Sequence, residues 1–180
     1  MENKLKVDLE KFCTLFNDKL ESLLSDKPIG ACYLIGHALA EGFKRTGYIA
    51  NEVSGTAIFK DKFENNIIYG KSVAKGKNIG LYHTWCTLEI DNETIIIDPS
   101  YKYNKIAIED YYKIKPNKNI NDIIITNKAN NWLFTYIEDS SLKVQSKKCL
   151  NSIDNAFLEQ LILETGDLVI NIFGYNKVLQ

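Results

Sequence analysis

The sequence predicts an α+β fold in which N-terminal helices, one of them carrying Cys32, pack on an antiparallel β-sheet. Three observations carry that prediction. Apolar residues recur at helical spacing over residues 4 to 25 and again from Cys32 onward, which gives two amphipathic helices at the start of the chain. A strand-type stretch then culminates in two β-rich arms joined by Asp91-Asn92, one of the few pairs that tolerate the positive φ of a two-residue hairpin turn. Beyond the hairpin, strand and helix signals do not alternate as they do in a parallel α/β protein.

Taken in order, Leu9, Phe12, Phe16, Leu20, Leu23 and Leu24 form the apolar stripe of the first helix, and Lys27-Pro28 stops it, because proline pushes the preceding residue out of the helical region. Gly30-Ala31 leads into a second helix that runs to about Gly42 or Thr46 and closes at Gly47. Cys32, Ile35, Gly36, Leu39 and Phe43 share its inward face. Residues 49 to 59 alternate as a strand, with Ile49, Val53, Ala57 and Phe59 on one face and Glu52, Ser54, Thr56 and Lys60 on the other. Residues 60 to 80, rich in lysine and glycine, read as a solvated connection with a short strand at 66 to 69, long enough to border a substrate cleft.

In the hairpin, pairing Ile90 with Glu93 sets Leu88 opposite Ile95, Cys86 opposite Ile97 and Trp85 opposite Asp98. His83, Trp85 and Asp98 then face one way. After it come a short helix over 108 to 114 ahead of Pro116, strands at 122 to 126 and 132 to 137, a helix over 156 to 165 capped by Asp154 and closed by Gly166, and a last strand at 167 to 173.

The chemistry concentrates in three residues. Cys32 opens a helix, where free backbone N–H groups favour a thiolate. A carboxylate diagonal to an imidazole can orient it, and Asp98 stands so to His83. The other histidine, His37, lies five residues beyond Cys32 on the same helix, about 140° around its axis, and cannot reach the thiol. Asp98 would serve equally as a cap for the turn at Pro99. Gly30, Tyr82 and Trp85 are candidates for lining the substrate cleft. One oxyanion donor is the backbone N–H of Cys32, while Asn17, Ser25 and Tyr82 stand open for the second. A zinc centre built from Cys32, His37, His83 and Cys86 is disfavoured, because His83 and Cys86 fall on opposite strand faces.

Cys32 at a helix start, Val53-Ser54-Gly55 at a strand end, His83-Thr84-Trp85, and Asp98-Pro99 closing the next strand occur in an order that resembles the transglutaminase-like group of papain-like cysteine enzymes. The resemblance spans residues 30 to 101. It implies a papain-like layout, a Cys32–His83–Asp98 triad, and acyl transfer from an amide or ester through a thioester, to water as in a protease or amidohydrolase or to an amine as in a transglutaminase. It implies a peptide or protein substrate and no cofactor. Arylamine N-acetyltransferases share the order of the three residues but have an acidic residue just after the cysteine, where this chain has Tyr33 and Leu34. A binding module on the same fold, using the cleft to hold a peptide without chemistry, is the alternative from another class.

Bulk properties exclude other classes. A chain of 180 residues, 45% hydrophobic and 25% charged, is expected to form one globular domain over 1–180. A net charge of -1 with scattered lysines leaves no footprint for nucleic acid or an anionic membrane. There is no twenty-residue apolar span, and the start of the chain, Met1-Glu2-Asn3-Lys4-Leu5-Lys6, lacks a signal peptide's apolar core, so the expected location is the cytoplasm and the four cysteines are expected as free thiols.

Overall fold

A computed structural model describes residues 1–174. In chain order the elements are α1 (Asn3–Leu24), α2 (Cys32–Arg45), β1 (Ile49–Lys60), β2 (Asn66–Tyr69), β3 (Gly76–Gly80), β4 (His83–Ile90), β5 (Glu93–Asp98), α3 (Tyr101–Asp110), β6 (Ile124–Thr126), β7 (Phe134–Glu138), a 3₁₀ turn at Ser140–Leu142, α4 (Lys143–Leu150) and α5 (Asn155–Phe173). The class is α+β, with helices packed on one sheet ordered β3-β2-β1-β4-β5-β6 and β7 added to β1. The sheet is mixed rather than antiparallel, because β2 and β3 run parallel. Among the described residues, no helix is long and apolar enough to cross a membrane.

β1 ties the sheet together. Gly55 pairs with both His83 of β4 and Glu138 of β7, and Ala57 pairs with both Tyr69 of β2 and Tyr136 of β7. A strand residue has two edges. β4 and β2 therefore follow one another along one edge of β1, and β7 occupies the other.

The two sides of the sheet bury different residues. Cys86, Leu88, Ile95 and Ile97 join α1, α2 and α5 in one core, while Trp85, Ile96, Phe59, Tyr69, Tyr101 and Tyr136 form a second, largely aromatic core. In α1, Leu9, Phe12, Phe16 and Leu20 are buried as their spacing predicts. The helix ends at Ser25, which adopts a left-handed conformation (φ 57°) ahead of Lys27-Pro28. The expected face of α2 is buried from Cys32 to Phe43, and Gly36 lets the helix lie directly on β4: a Cβ there would sit 2.8 Å from Thr84 Cγ2. The hairpin register agrees from Ile90↔Glu93 to Cys86↔Ile97, with Asp91 and Asn92 at φ 51° and 62°.

Four expectations are corrected. Ile49 of β1, grouped with the apolar face, is exposed, while Ser54 and Thr56 of the polar face are buried, because helices cover that side of the strand. The connection 60 to 80 contains β3 as well as β2; the glycine-rich β3 has no strand pattern of its own and forms by pairing with β2. The helix expected at 108 to 114 begins earlier, at Tyr101, and ends at Asp110. The strand expected at 167 to 173 is the second half of α5, which passes through Gly166 without ending. Thr165-Gly166 is where α5 crosses α2: a Cβ on Gly42 would lie 2.5 Å from Thr165 Cγ2. Gly42 is thus the glycine the close crossing requires, whereas a Cβ on Gly166 would meet nothing nearer than 3.7 Å, and Gly166 simply continues the helix.

The N-terminal cap of α5 is as expected, with Asp154 Oδ1 accepting from the Phe157 N–H at 2.9 Å. Asp154→Ala is expected to cost about 1 kcal/mol, which for a domain of this size lowers the melting temperature by about 2–4 °C in a thermal scan.

Candidate active site

Cys32, His83 and Asp98 come from three elements and are all buried, at 7%, 0% and 1% exposure. His83 is the first residue of β4 and points into the aromatic core, on the side away from α2. Asp98 is the last residue of β5. α2, which begins at Cys32, lies on the opposite face of β4.

His83 Nε2 donates to Asp98 Oδ2 at 2.8 Å. The carboxylate has further donors: Tyr136 Oη at 2.7 Å on the same oxygen, and the Ser100 N–H at 3.1 Å and Oγ at 2.5 Å on Oδ1. The two roles open for Asp98 are thus divided between its oxygens, one turning the chain at Pro99-Ser100 and the other orienting His83. The imidazole is boxed by Phe59, Tyr69, Trp85 and Tyr136, with ring centroids 5.8–6.1 Å away and Trp85 stacked nearly parallel.

Nδ1 is then the nitrogen left for the thiol. It has no hydrogen-bond partner among the described residues, and Cys32 approaches the ring closely enough to affect its titration. Burial works against a charged imidazole, but the adjacent Asp98 carboxylate outweighs it, with Cys32 adding to the upward pull, so the His83 pKa is raised. Burial likewise opposes ionisation of Asp98, and the charge and hydrogen bond of His83, with Ser100 and Tyr136, overcome it and hold the carboxyl below its ordinary range.

The expected cleft residues are placed differently from one another. Gly30 is exposed at φ 77°, two residues ahead of Cys32. Tyr82 is half-buried just ahead of β4, and burial above all pushes its phenol pKa up. Trp85 is buried; with Tyr136 it lines a cavity of about 490 Å³ whose walls do not include Cys32. Of the proposed oxyanion donors, Asn17 is buried and gives its amide N–H to the Pro99 carbonyl at 3.3 Å, and Ser25 is exposed at the end of α1. His37 bonds Glu52 at 2.9 Å, not the nearer-in-sequence Glu41, which pairs with Lys44. Cys86 lies in the helix-facing core. Among the described residues no three His, Cys, Asp or Glu side chains converge as metal ligands, so the zinc constellation is not assembled.

Sequence reasoning missed Tyr136 and the Phe59–Tyr69 box. Tyr136 stands 38 residues beyond the carboxylate it holds, and only its membership of an aromatic strand run hinted at burial. No family model and no curated protein matches this chain. It is similar to a solved crystal structure identified only as a genomics target, at 12% identity over 89% of this chain and 78% of that one, with a TM-score of 0.52. At that identity the likeness concerns the fold alone.

Proposed function

We propose that this protein is a thiol-dependent acyl-transfer enzyme with a transglutaminase-like, papain-like domain, acting on an amide or ester carbonyl of a peptide or protein. The observation that supports this reading best is the buried His83, tied through Nε2 to a four-donor carboxylate and presenting its free Nδ1 to a cysteine at a helix start. The Cys32 thiol proton passes to Nδ1, and the sulfur attacks the carbonyl carbon. Asp98 fixes the tautomer and stabilises the charged ring. The tetrahedral intermediate collapses to a thioester as Nδ1 returns its proton to the leaving amine. Water or a second amine, deprotonated in turn by His83, then releases the acyl group and regenerates the thiol. Hydrolysis and transamidation differ only in that second nucleophile.

The test is alkylation by iodoacetamide, followed residue by residue by mass spectrometry from about pH 5 to pH 9, in wild type and His83→Ala. Selective labelling of Cys32 well below the ordinary thiol pKa of about 8.5, lost in the variant, is the expected result. A Cys32 that alkylates like an ordinary thiol, or not at all, would turn the reading to a binding module without chemistry.

A further inference from the structure

We propose that the trough beyond Trp85, on the aromatic face of the sheet, is a docking site for an extended, basic peptide segment. Its walls do not include Cys32, and the proposal stands whether or not that thiol does chemistry.

Three strands build the floor. Residues paired across antiparallel strands share a face, so Val53↔Trp85, Asn51↔Thr87, Thr87↔Ile96 and Glu89↔Thr94 lie side by side. Trp85, Ile96 and Tyr136 belong to the aromatic core, and Val53 packs against it. Farther along the same face the cover ends. Thr87 and Glu89 are half-buried, Asn51 and Thr94 are exposed, and a cavity of about 490 Å³ stands over them.

The dimensions suit one extended chain. Glu138 of β7 stands opposite Gly55, and Glu89 opposite Ile49, so the trough follows β1 from Ile49 to Gly55, about 20 Å at the rise of a strand. Spread over that length, the cavity has a cross-section of about 25 Å², too narrow for a helix about 10 Å across. A ligand that meets both carboxylates must span the trough, as an extended segment of about six residues does.

The charge fixes the chemistry of the occupant. Glu89 accepts the Thr94 hydroxyl at 2.7 Å, and among the described residues neither it nor Glu138 has a cationic partner. Glu52 is committed to His37 and Ser146. Lys143, at the start of α4, is the one ammonium among the described residues of the walls. A lysine or arginine near each end of the segment meets an unpaired carboxylate, while aliphatic side chains between them lie on Val53, Trp85 and Ile96.

Trp85 reports occupancy, because it forms part of the wall. The chain has two tryptophans, and Trp132→Phe, at a side chain 60% exposed and outside the trough, leaves Trp85 alone. This variant is titrated with a blocked six-residue peptide of alternating valine and threonine between terminal lysines. A saturable change in Trp85 fluorescence is expected, with weaker binding of the same peptide carrying terminal glutamates. Glu89→Lys and Glu138→Lys, made in the same background, are each expected to weaken the lysine peptide and strengthen the glutamate one by about 2–5-fold, an effect that fades at high salt. No saturable change with the lysine peptide overturns the assignment, as does equal affinity for the two peptides or a substitution that shifts both alike. A concentration-dependent dimer that Glu138→Lys splits would also overturn it, by showing that a second copy of the chain fills the trough. None of these outcomes bears on iodoacetamide labelling of Cys32, so the docking site and the acyl-transfer reading fail separately.

Discussion

Replacing Asp98 with alanine is expected to cost about 3–5 kcal/mol, the range for removing one partner of a buried ion pair. The loss is large because the change strands four donors, the Ser100 N–H among them. His83 keeps its place in the aromatic box with no counter-charge, and the hydroxyls of Tyr136 and Ser100 lose their acceptor. Urea denaturation near neutral pH measures it. The wild type should also show the pair's pH signature. Asp98 has a lowered folded pKa, so its contribution is present above the unfolded carboxyl value of about 4 and is lost as pH falls through the folded one. His83 has a raised folded pKa, so its contribution is complete below the unfolded value of about 6.5 and fades as pH climbs toward the folded one. The stability difference between wild type and Asp98→Ala should therefore peak at about pH 4–6.5 and shrink on either side. A difference independent of pH would mean that the pair is neutral.

Gly55→Ala is the second change with a large expected effect. An added methyl at this position overlaps the Ile137 carbonyl oxygen and meets the Asp139 nitrogen and Glu138 Cα at 3.0 Å. All three are backbone atoms of β7 or its exit, so no side chain can rotate out of the way, and β7 must part from β1. Overpacking of this kind costs about 3 kcal/mol or more, and a melting temperature lower by about 6–12 °C is expected for a domain of this size. The site suffers with the fold, since β7 carries Tyr136, the donor to Asp98 Oδ2. Acylation of Cys32 should fall even at temperatures where the variant remains folded. Wild-type stability in Gly55→Ala would show that β7 does not pack on β1 as described.

The parts of this arrangement that the sequence announced are those specified locally. Asp91-Asn92 sets a turn by its own backbone preferences, and turn and alternation together dictate the register that sets His83 and Asp98 on one face. Asp154 caps α5 with its own side chain. Cys32 falls at a helix start because Gly30-Ala31 and the apolar spacing that follows place it there. The parts that escaped are made by distant neighbours. Gly166 has the local chemistry of a stop, and the close crossing with α2 overrides it. Ser54 and Thr56 look like a solvent face, yet Ser54 bonds Thr84 at 3.1 Å beneath the helices, and Thr56 accepts from the Lys71 N–H. Tyr101, in an aromatic run that follows a strand, begins a helix instead, because Asp98 and Ser100 turn the chain just before it. Tyr136 meets Asp98 only when β7 adds to β1.

The double pairing of β1 bears on how the molecule opens. Around Gly55 and Ala57 both edges of the strand are occupied, by segments drawn from residues 66 to 69, 83 to 90 and 134 to 138. Freeing this stretch means separating β1 from three partner strands, so fluctuations that loosen the outlying β3 leave it untouched. The strand that neighbours the imidazole is consequently the last seam to part. Its hairpin with β2, closed across residues 61 to 65, needs only a short loop, whereas its pairings with β4 and β7 require far larger ones to be drawn in first.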